Sequence, residues 1–221
     1  MTMPVFARLG AITHDSAYLE RMNAMYLVTR DSLCENGLYN PEDGLWWRDA
    51  DYDPPYTEPN GEDCYWSRGN GWVLAALLRV MDFLPEDHPL HAEYLETFRQ
   101  MCEALLEVQR EDGFWNVSLH DPGHFGGPET TGTSLFVYGM AWGVNNGYLD
   151  KAVYLPAITR AWNAILYKAV HKNGFLGYVQ GTGKDPSAGQ PVTYSSMPDF
   201  EDYGLGCFLL AGCQVLQLTG Q

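Results

Sequence analysis

Trp66-Ser67-Arg68-Gly69-Asn70-Gly71-Trp72 opens a run, Val73 to Leu84, in which Arg79 and Asp82 are the only charged residues. A long aromatic stretch, Glu35 to Tyr65, feeds into it. An arginine flanked by two tryptophans, where a loop becomes a helix, can grip a planar anion. The guanidinium supplies a fork of donors, the indoles supply flat walls, and the glycines let backbone come close. The same residues also suit a plainer role, an Arg–carboxylate pair tying the loop to the core with tryptophans as filler. The pattern around the stretch decides between them.

Working outward, two kinds of helix alternate. Segments near 3–11, 72–84, 132–147 and 203–218 are apolar nearly all round, and both Thr131 to Tyr148 and Tyr203 to Gln221 lack any charged residue. A helix apolar on every face is buried on every face. Between these lie helices with a single apolar stripe. Asp15 to Leu33, with Asp15 as N-cap, carries Tyr18, Leu19, Met22, Met25 and Tyr26. His88 to Gln109 carries Tyr94, Leu95, Phe98, Met101, Cys102 and Leu105, and Leu155 to Val170 carries Ile158, Trp162, Ile165 and Leu166, with Pro156 in its first turn. The order inner, outer, inner, outer predicts two concentric layers of helices.

Connections alternate too. Inner-to-outer links are short, whereas outer-to-inner links are long, near 35–68, 110–131 and 171–202. Each long link opens with a related phrase: Glu42-Asp43-Gly44-Leu45-Trp46, Glu111-Asp112-Gly113-Phe114-Trp115 and Lys172-Asn173-Gly174-Phe175-Leu176. Glycine followed by aromatic and branched residues predicts a helix C-cap and then a short strand, so β-hairpins are expected in these loops. The phrase recurs about every 60–70 residues, the period of one helical hairpin plus its loop. All long loops then emerge at one end of the layers, where a site would be built. This count of helices does not close a double-layered ring, so the fold is expected to be incomplete at its N-terminus. The start, Met1-Thr2-Met3-Pro4-Val5-Phe6, has no basic segment or cleavage pattern and reads like the inside of a helix.

The totals agree with a single domain over 1–221 that buries a sizeable core. Hydrophobic residues make up 46%, yet no apolar run approaches the roughly 20 residues of a membrane span. Net charge is -15, which makes nucleic acid and anionic membranes poor partners. An anionic small molecule remains suitable, because beyond about 8 Å the global charge is screened and a local arginine dominates. The 5 cysteines, at 34, 64, 102, 207 and 213, lack a CxxC and argue against a disulfide framework or a zinc site. The compartment stays open between bacterial cytoplasm and periplasm.

Several tempting motifs fail on chemistry. Asp49-Ala50-Asp51-Tyr52-Asp53 has Pro54 and Asn60 where an EF-hand needs glycine and a bidentate glutamate, so a polar turn is the better reading. His120 and His124 flank Asp-Pro-Gly and share no helical face, and His88 and His91 sit at a helix start, so surface or capping roles are expected rather than metal binding. Asn116-Val117-Ser118 matches a glycosylation acceptor, which matters only in a secreted eukaryotic protein. Gly181-Thr182-Gly183-Lys184 falls short of a P-loop and reads as a flexible rim loop. Glu129-Thr130-Thr131-Gly132-Thr133-Ser134 enters an inner helix, where Thr131 or Thr133 can cap free N–H groups; its place in the repeat also puts it on the rim of the cavity served by Arg68. Glycosidase chemistry usually needs two facing carboxylates. The loop acids Asp43, Asp49, Asp51, Asp53, Glu58, Glu62, Asp63, Glu129, Asp199 and Glu201 are too many for spacing to choose between.

Trp66-Ser67-Arg68-Gly69-Asn70-Gly71-Trp72-Val73-Leu74-Ala75-Ala76-Leu77, ending at Leu84-Pro85, resembles the signature of the unsaturated rhamnogalacturonyl hydrolases, glycoside hydrolase family 105. Met3 to Gly10, Glu129 to Ser134 and Tyr203 to Gly212 agree, in order, across essentially the whole chain. The resemblance implies an all-α fold, an (α/α)6 toroid of twelve helices, with this chain as its C-terminal portion. It implies removal of a 4,5-unsaturated uronic acid from the non-reducing end of oligosaccharides left by a pectin lyase. An aspartate protonates C4 of the vinyl ether and activates water, which adds at C5; the hemiketal then opens and releases the sugar. No metal and no organic cofactor are implied.

Carried over by position, Trp66, Arg68 and Trp72 match the family's pocket motif, with Arg68 on the substrate, at its uronate carboxylate, and Trp66 on the sugar ring. Two departures follow. Relatives with a tyrosine-histidine-x-tryptophan-aspartate phrase differ here, where Leu45-Trp46-Trp47-Arg48-Asp49 places Trp47, Arg48 and Asp49 in the binding loop, with Arg48 or Asp49 in place of the histidine. The family's catalytic aspartate would fall ahead of Met1, so no catalytic residue is nominated in this chain. Two other readings stand beside this one: another (α/α)6 glycosidase or sugar epimerase using loop carboxylates or histidines, and a catalytically inactive sugar-binding or helical interaction module. An incomplete ring would also expose apolar inner-helix surface, which points to self-association.

Overall fold

The computed structural model describes residues 2–34, 37–181, 183, 185–196 and 203–220. Asp199, Glu201, Thr182 and Lys184, named above, lie outside the described residues. The chain runs α1 (Met3–Thr13), α2 (Ala17–Asp31), β1 (Tyr39–Asn40), β2 (Leu45–Trp46), α3 (Ser67–Met81), α4 (Pro89–Glu107), β3 (Trp115–Asn116), β4 (Pro128–Glu129), α5 (Thr130–Asn145), α6 (Lys151–Ala164) and α7 (Gly204–Thr219). A short π-helical turn, Ile165–Ala169, extends α6. Helices α1, α3, α5 and α7 pack side by side in that order, and α2, α4 and α6 lie behind α1, α3 and α5 respectively. This is the expected alternation of inner and outer helices. Among the described residues no helix is long and apolar enough to cross a membrane.

The expected burial holds at the centre of the inner row and fails at its ends. Every residue of α5 from Thr130 to Gly143 is buried, and α3 buries Leu74, Leu77, Leu78 and Val80. By contrast α1 buries Ala7 and Gly10 but exposes Val5, Leu9 and Ile12, and α7 buries Gly204, Cys207 and Ala211 but exposes Leu205, Leu209 and Leu216. The reason is position. Helices α3 and α5 have an inner neighbour on each side, whereas α1 and α7 stand at the two ends of the row with an inner neighbour on one side.

Glycines allow the inner helices to approach closely. A Cβ added at Gly71 would meet Leu135 Cβ at 2.8 Å, one at Gly132 would meet Ser67 Oγ at 2.8 Å, and one at Gly139 would meet Leu74 Cδ2 at 2.4 Å. The Gly71 of the Trp-Arg-Trp stretch therefore admits α5, not a ligand. Outer helices are tied laterally by polar bonds. Tyr26 Oη pairs with Thr97 Oγ1 at 2.8 Å, Arg30 Nη1 donates to Glu93 Oε1 at 2.8 Å, and Arg160 donates to Gln109 Oε1 at 2.6 Å.

The repeated glycine phrase forms hairpin turns rather than the expected helix C-caps. Gly44, Gly113 and Gly174 have φ of 66°, 98° and 87°, the left-handed region that favours glycine. Their N–H groups close turns on the carbonyls of Asn40, Arg110 and His171. Strands β1 and β2 pair antiparallel around the first turn, and β3 pairs with β4 after the second. Each of the first two turns seats on the outer helix of the next repeat. A Cβ at Gly44 would meet Gln100 O at 2.8 Å and Ala104 Cβ at 3.2 Å; one at Gly113 would meet Arg160 O at 2.6 Å and Ala164 Cβ at 3.0 Å. At Gly174 nothing lies within 4 Å. The tryptophan two residues on is held alike in both repeats: Trp46 N donates to Asn70 Oδ1 at 2.9 Å and Trp115 N to Thr133 Oγ1 at 3.0 Å, each the fourth residue of the following inner helix.

Helix ends differ from expectation in detail. Asp15 does accept from Ala17 N, at 3.0 Å. Helix α6 starts at Lys151 because the Asp150 carboxylate caps Ala152 N at 2.8 Å, which leaves Pro156 inside the helix rather than in its first turn. Helix α5 is capped by neither Thr131 nor Thr133 but by Glu129, whose carboxylate accepts from Thr131 N and Gly132 N.

Candidate functional site

Because the long loops all precede inner helices, they meet at one end of the row and are knitted together there. Ser67 N donates to Val117 O at 2.8 Å and Leu119 N to Tyr65 O at 2.9 Å, joining the first loop to the second. Thr130 N donates to Tyr178 O at 2.8 Å and Thr130 Oγ1 to Gly177 O at 2.7 Å, joining the second to the third.

Arg68 lies in the first turn of α3, so its side chain is delivered into this junction. It is 2% exposed. Its guanidinium carbon lies 4.5 Å from the Trp66 ring centroid and 5.0 Å from that of Tyr203, an arginine held between two aromatic rings. Nη1 donates to Gln180 O at 2.9 Å and to the Tyr203 hydroxyl, while Gly181 O and Gly183 O stand at 3.4 Å from its nitrogens. Trp72, about one helical turn beyond Arg68 and partly buried, sets its ring edge-on to Tyr203 at 6.0 Å. The structure thus brings Trp66, Arg68 and Trp72 together, with Tyr203 and Gln180 completing the group.

Gln180 was not singled out by sequence reasoning, and it lies 112 residues from Arg68. Its Oε1 accepts from Trp66 Nε1 at 2.9 Å. Its N–H reaches Glu129 Oε1 at 3.2 Å. Glu129 is fully buried and accepts from Thr131 N at 3.0 Å, Thr131 Oγ1 at 2.7 Å and Gly132 N at 2.6 Å as well. A carboxylate that accepts this many bonds at a helix N-terminus is a fixed anchor of the scaffold. Thr130, Thr131 and Thr133 are likewise fully buried, so this segment supports the site from below rather than lining a rim.

Trp47, Arg48 and Asp49 form a second group in the loop after β2. Trp47 stacks on Tyr65 at 5.9 Å, and Arg48 pairs with Asp49. The Asn70 side chain links this loop to the arginine's helix, accepting from Trp46 N and donating to Trp46 O at 3.0 Å. The Tyr65 hydroxyl bonds Asp43 Oδ2 at 2.7 Å and Asp63 Oδ2 at 3.2 Å, with the His120 ring edge-on at 4.9 Å. Asp49 Oδ1 accepts from Asp51 N at 3.0 Å, the polar turn expected there.

A further buried acid sits among the loops. Glu58 is 2% exposed, accepts from Ser118 Oγ, and meets His124 Nδ1 at 3.1 Å. Burial pushes its carboxyl above the ordinary glutamate value, and the bonds to Ser118 and His124 oppose that shift. His124 is exposed at the surface, as expected, while its ring reaches the buried Glu58; His91 is buried at 4% exposure, against expectation, and His88 does cap α4, accepting from Leu90 N at 3.2 Å. Two grooves lie along the outside of α4 instead. One of about 480 Å³ is lined by Arg30, Tyr39, Glu93 and Gln100, and one of about 380 Å³ by Asp43, Glu103, Glu107 and His120; neither is lined by Trp66 or Arg68.

Comparison with known proteins fits this arrangement. A family model described as Glycosyl Hydrolase Family 88 matches residues 1–219. An unsaturated 3S-rhamnoglycuronyl hydrolase of Alteromonas sp. (strain LOR) is 38% identical over 216 residues, 98% of this chain and 49% of that protein. An enzyme of the same name from Formosa agariphila is 35% identical over 223 residues, 99% of this chain and 56% of its own length. The solved structure of a glycosyl hydrolase family 88 protein from Bacteroides vulgatus superposes with a TM-score of 0.88 at 39% identity, covering 97% of this chain and 60% of that one. The chain spans about half the length of the curated relatives it matches. Its layered helices are those of the (α/α)6 toroid.

Proposed function

This chain belongs to glycosyl hydrolase family 88, and from that membership we propose that its Trp66–Arg68–Tyr203 group receives the 4,5-unsaturated uronic acid at the non-reducing end of a lyase-derived oligosaccharide. A carbohydrate substrate follows from the family. The choice of an anionic one rests on a single observation, an arginine between two aromatic rings at the end of the inner helices where the loops converge. The Arg68 contacts at 3.4 Å to Gly181 O and Gly183 O are long. A uronate carboxylate makes shorter, charge-assisted bonds to the same nitrogens and can take their place. Trp66 and Trp72 supply apolar faces for the sugar ring.

In the reaction we propose, a carboxylic acid protonates C4 of the vinyl ether, water adds at C5, and the hemiketal opens to release the sugar beyond it. We do not assign Glu129 as that acid, since it is fully buried and accepts from Thr131 N, Thr131 Oγ1, Gly132 N and Gln180 N. The relatives named unsaturated 3S-rhamnoglycuronyl hydrolases make an unsaturated uronide joined to rhamnose the first substrate to try. Trp47, Arg48 and Asp49, in the loop that leads to Arg68, are proposed to meet the sugar that leaves.

The test measures binding and turnover together. The 221-residue chain and the full-length Alteromonas relative are offered an unsaturated rhamnoglycuronyl disaccharide and an unsaturated pectin disaccharide, and loss of double-bond absorbance is followed. Arg68→Ala is expected to weaken binding of either uronide at least tenfold, on the scale of about 1.5–3 kcal/mol for a bond to a charged group, and to leave neutral rhamnose oligosaccharides unchanged. Equal loss for charged and neutral sugars would sink the carboxylate assignment. Arg68-dependent binding without turnover would favour a sugar-binding module.

A further inference from the structure

We infer that Gln180 is a positioning residue for this site: it fixes the Trp66 indole and the Arg68 guanidinium in their stacked arrangement and couples both to the 185–190 loop. It is fully buried, and every polar atom it has is used. Its Oε1 takes the Trp66 indole proton at 2.9 Å. Its Nε2 donates to Pro186 O at 3.0 Å and Ala188 O at 2.8 Å. Its carbonyl accepts from Arg68 Nη1 at 2.9 Å and from the Tyr203 hydroxyl at 3.2 Å, and its N–H is held by Glu129.

The geometry makes these bonds interdependent. An indole has one donor, so a single acceptor decides how the Trp66 ring is turned about its long axis. Arg68 lies over that ring at 4.5 Å, and a turned ring would remove its lower wall. The residue that aims the ring through its side chain also holds the guanidinium through its carbonyl. Its amide nitrogen faces two carbonyl oxygens, which only a donor can satisfy. A side-chain amide supplies an acceptor on one side and a donor on the other, and no other uncharged side chain of this length does both.

Two substitutions separate these roles. Gln180→Met keeps length and removes both functions. Gln180→Glu keeps the acceptor for Trp66 and replaces the donor to Pro186 and Ala188 with a carboxylate. The measurement is proton exchange and chemical shift of the indole N–H groups in ¹⁵N-labelled chain, with Trp66→Phe identifying the Trp66 signal and circular dichroism reporting the fold. Gln180→Met is expected to speed Trp66 N–H exchange at least about tenfold, the scale of one lost buried hydrogen bond. Gln180→Glu is expected to keep the protection and move the proton signal downfield, because a bond to a carboxylate is shorter and stronger. Unchanged Trp66 exchange in folded Gln180→Met overturns the proposal. Should that variant not fold, an unmoved Trp66 signal in Gln180→Glu overturns it instead.

The ligand consequence rests on the function proposed above. Both variants are expected to bind the unsaturated disaccharide at least about tenfold more weakly, the second because it sets a negative charge beside Arg68. A wild-type chain that binds no uronide counts against that function, and the indole signals then decide the role of Gln180 by themselves.

Discussion

Gly139→Ala probes the close packing of the inner helices. The added methyl would stand 2.4 Å from Leu74 Cδ2 and 2.8 Å from Leu74 Cγ, and Leu74 is fully buried. Leu74 must therefore leave its rotamer or push α3 away from α5. Overpacking of this kind costs about 1–3 kcal/mol. Against it, alanine in a helix interior gains about 1 kcal/mol over glycine. The net loss is about 1 kcal/mol, a fall in melting temperature of about 2–4 °C for a chain of this size. The decisive measurement is a double-mutant cycle by denaturant unfolding. Leu74→Ala alone should cost about 2–5 kcal/mol. On that background the clash is gone, so Gly139→Ala should become stabilising by up to about 1 kcal/mol. If Gly139→Ala has the same effect on both backgrounds, contact with Leu74 is not what keeps position 139 a glycine, and the packing argument fails.

Three more outcomes follow from the geometry. Gly113→Ala should be destabilising by about 3 kcal/mol or more, since it combines a left-handed φ with a backbone oxygen at 2.6 Å, whereas Gly174→Ala should cost only the conformational part, about 1–2 kcal/mol; equal losses in unfolding experiments would refute the seating of the second turn on α6. Burial raises the Glu58 carboxyl above 4.5, so the stability its neutral form contributes is complete below the ordinary glutamate range and is lost as pH rises through the raised value. Gln in its place should therefore flatten the stability-versus-pH curve above that range, with melting at neutral pH equal to or above wild type; a drop at neutral pH would show that the pairing with His124 outweighs desolvation. Asp112 behaves oppositely: desolvation raises its carboxyl, but the bonds from Arg110 prevail and hold it below the usual range. Its contribution is present above the ordinary aspartate value and disappears as pH falls through the lowered one, so Asp112→Asn should lose stability at neutral pH and little under acid.

The layered fold was legible because charge is absent where helices are enclosed. Thr131 to Tyr148 carries none, and the run is buried without a break from Thr131 to Gly143. The same signal misled at α1 and α7, since composition records what a helix can bury and not how many neighbours it has. Trp66, Arg68 and Trp72 could be picked out because they are close in sequence. Gln180 and Tyr203 could not, because they reach the arginine across a loop whose shape no local pattern encodes. Glu129 was visible as the head of a Thr-rich helix entrance, but its own role was not, because it stood among many loop acids. What distinguishes it is full enclosure over the first turn of a helix, a property of the folded chain. The one available hint was a carboxylate directly ahead of an N-terminal Thr-Thr-Gly, where an acid suits the free N–H groups.

The glycine turns have a consequence for how this architecture tolerates insertions and deletions. Gly44 rests on Gln100 and Ala104 of α4, and Gly113 on Arg160 and Ala164 of α6, so each loop takes its footing from the hairpin that comes after it in the chain. A one-residue deletion within α4 would rotate Ala104 by about 100° around the helix axis. The damage would then appear upstream, in the loop that carries Trp47 and leads to Arg68. Changes in length are best absorbed past the first turn, between Asp51 and Thr57, ahead of the buried Glu58 that ties this loop to Ser118 and His124.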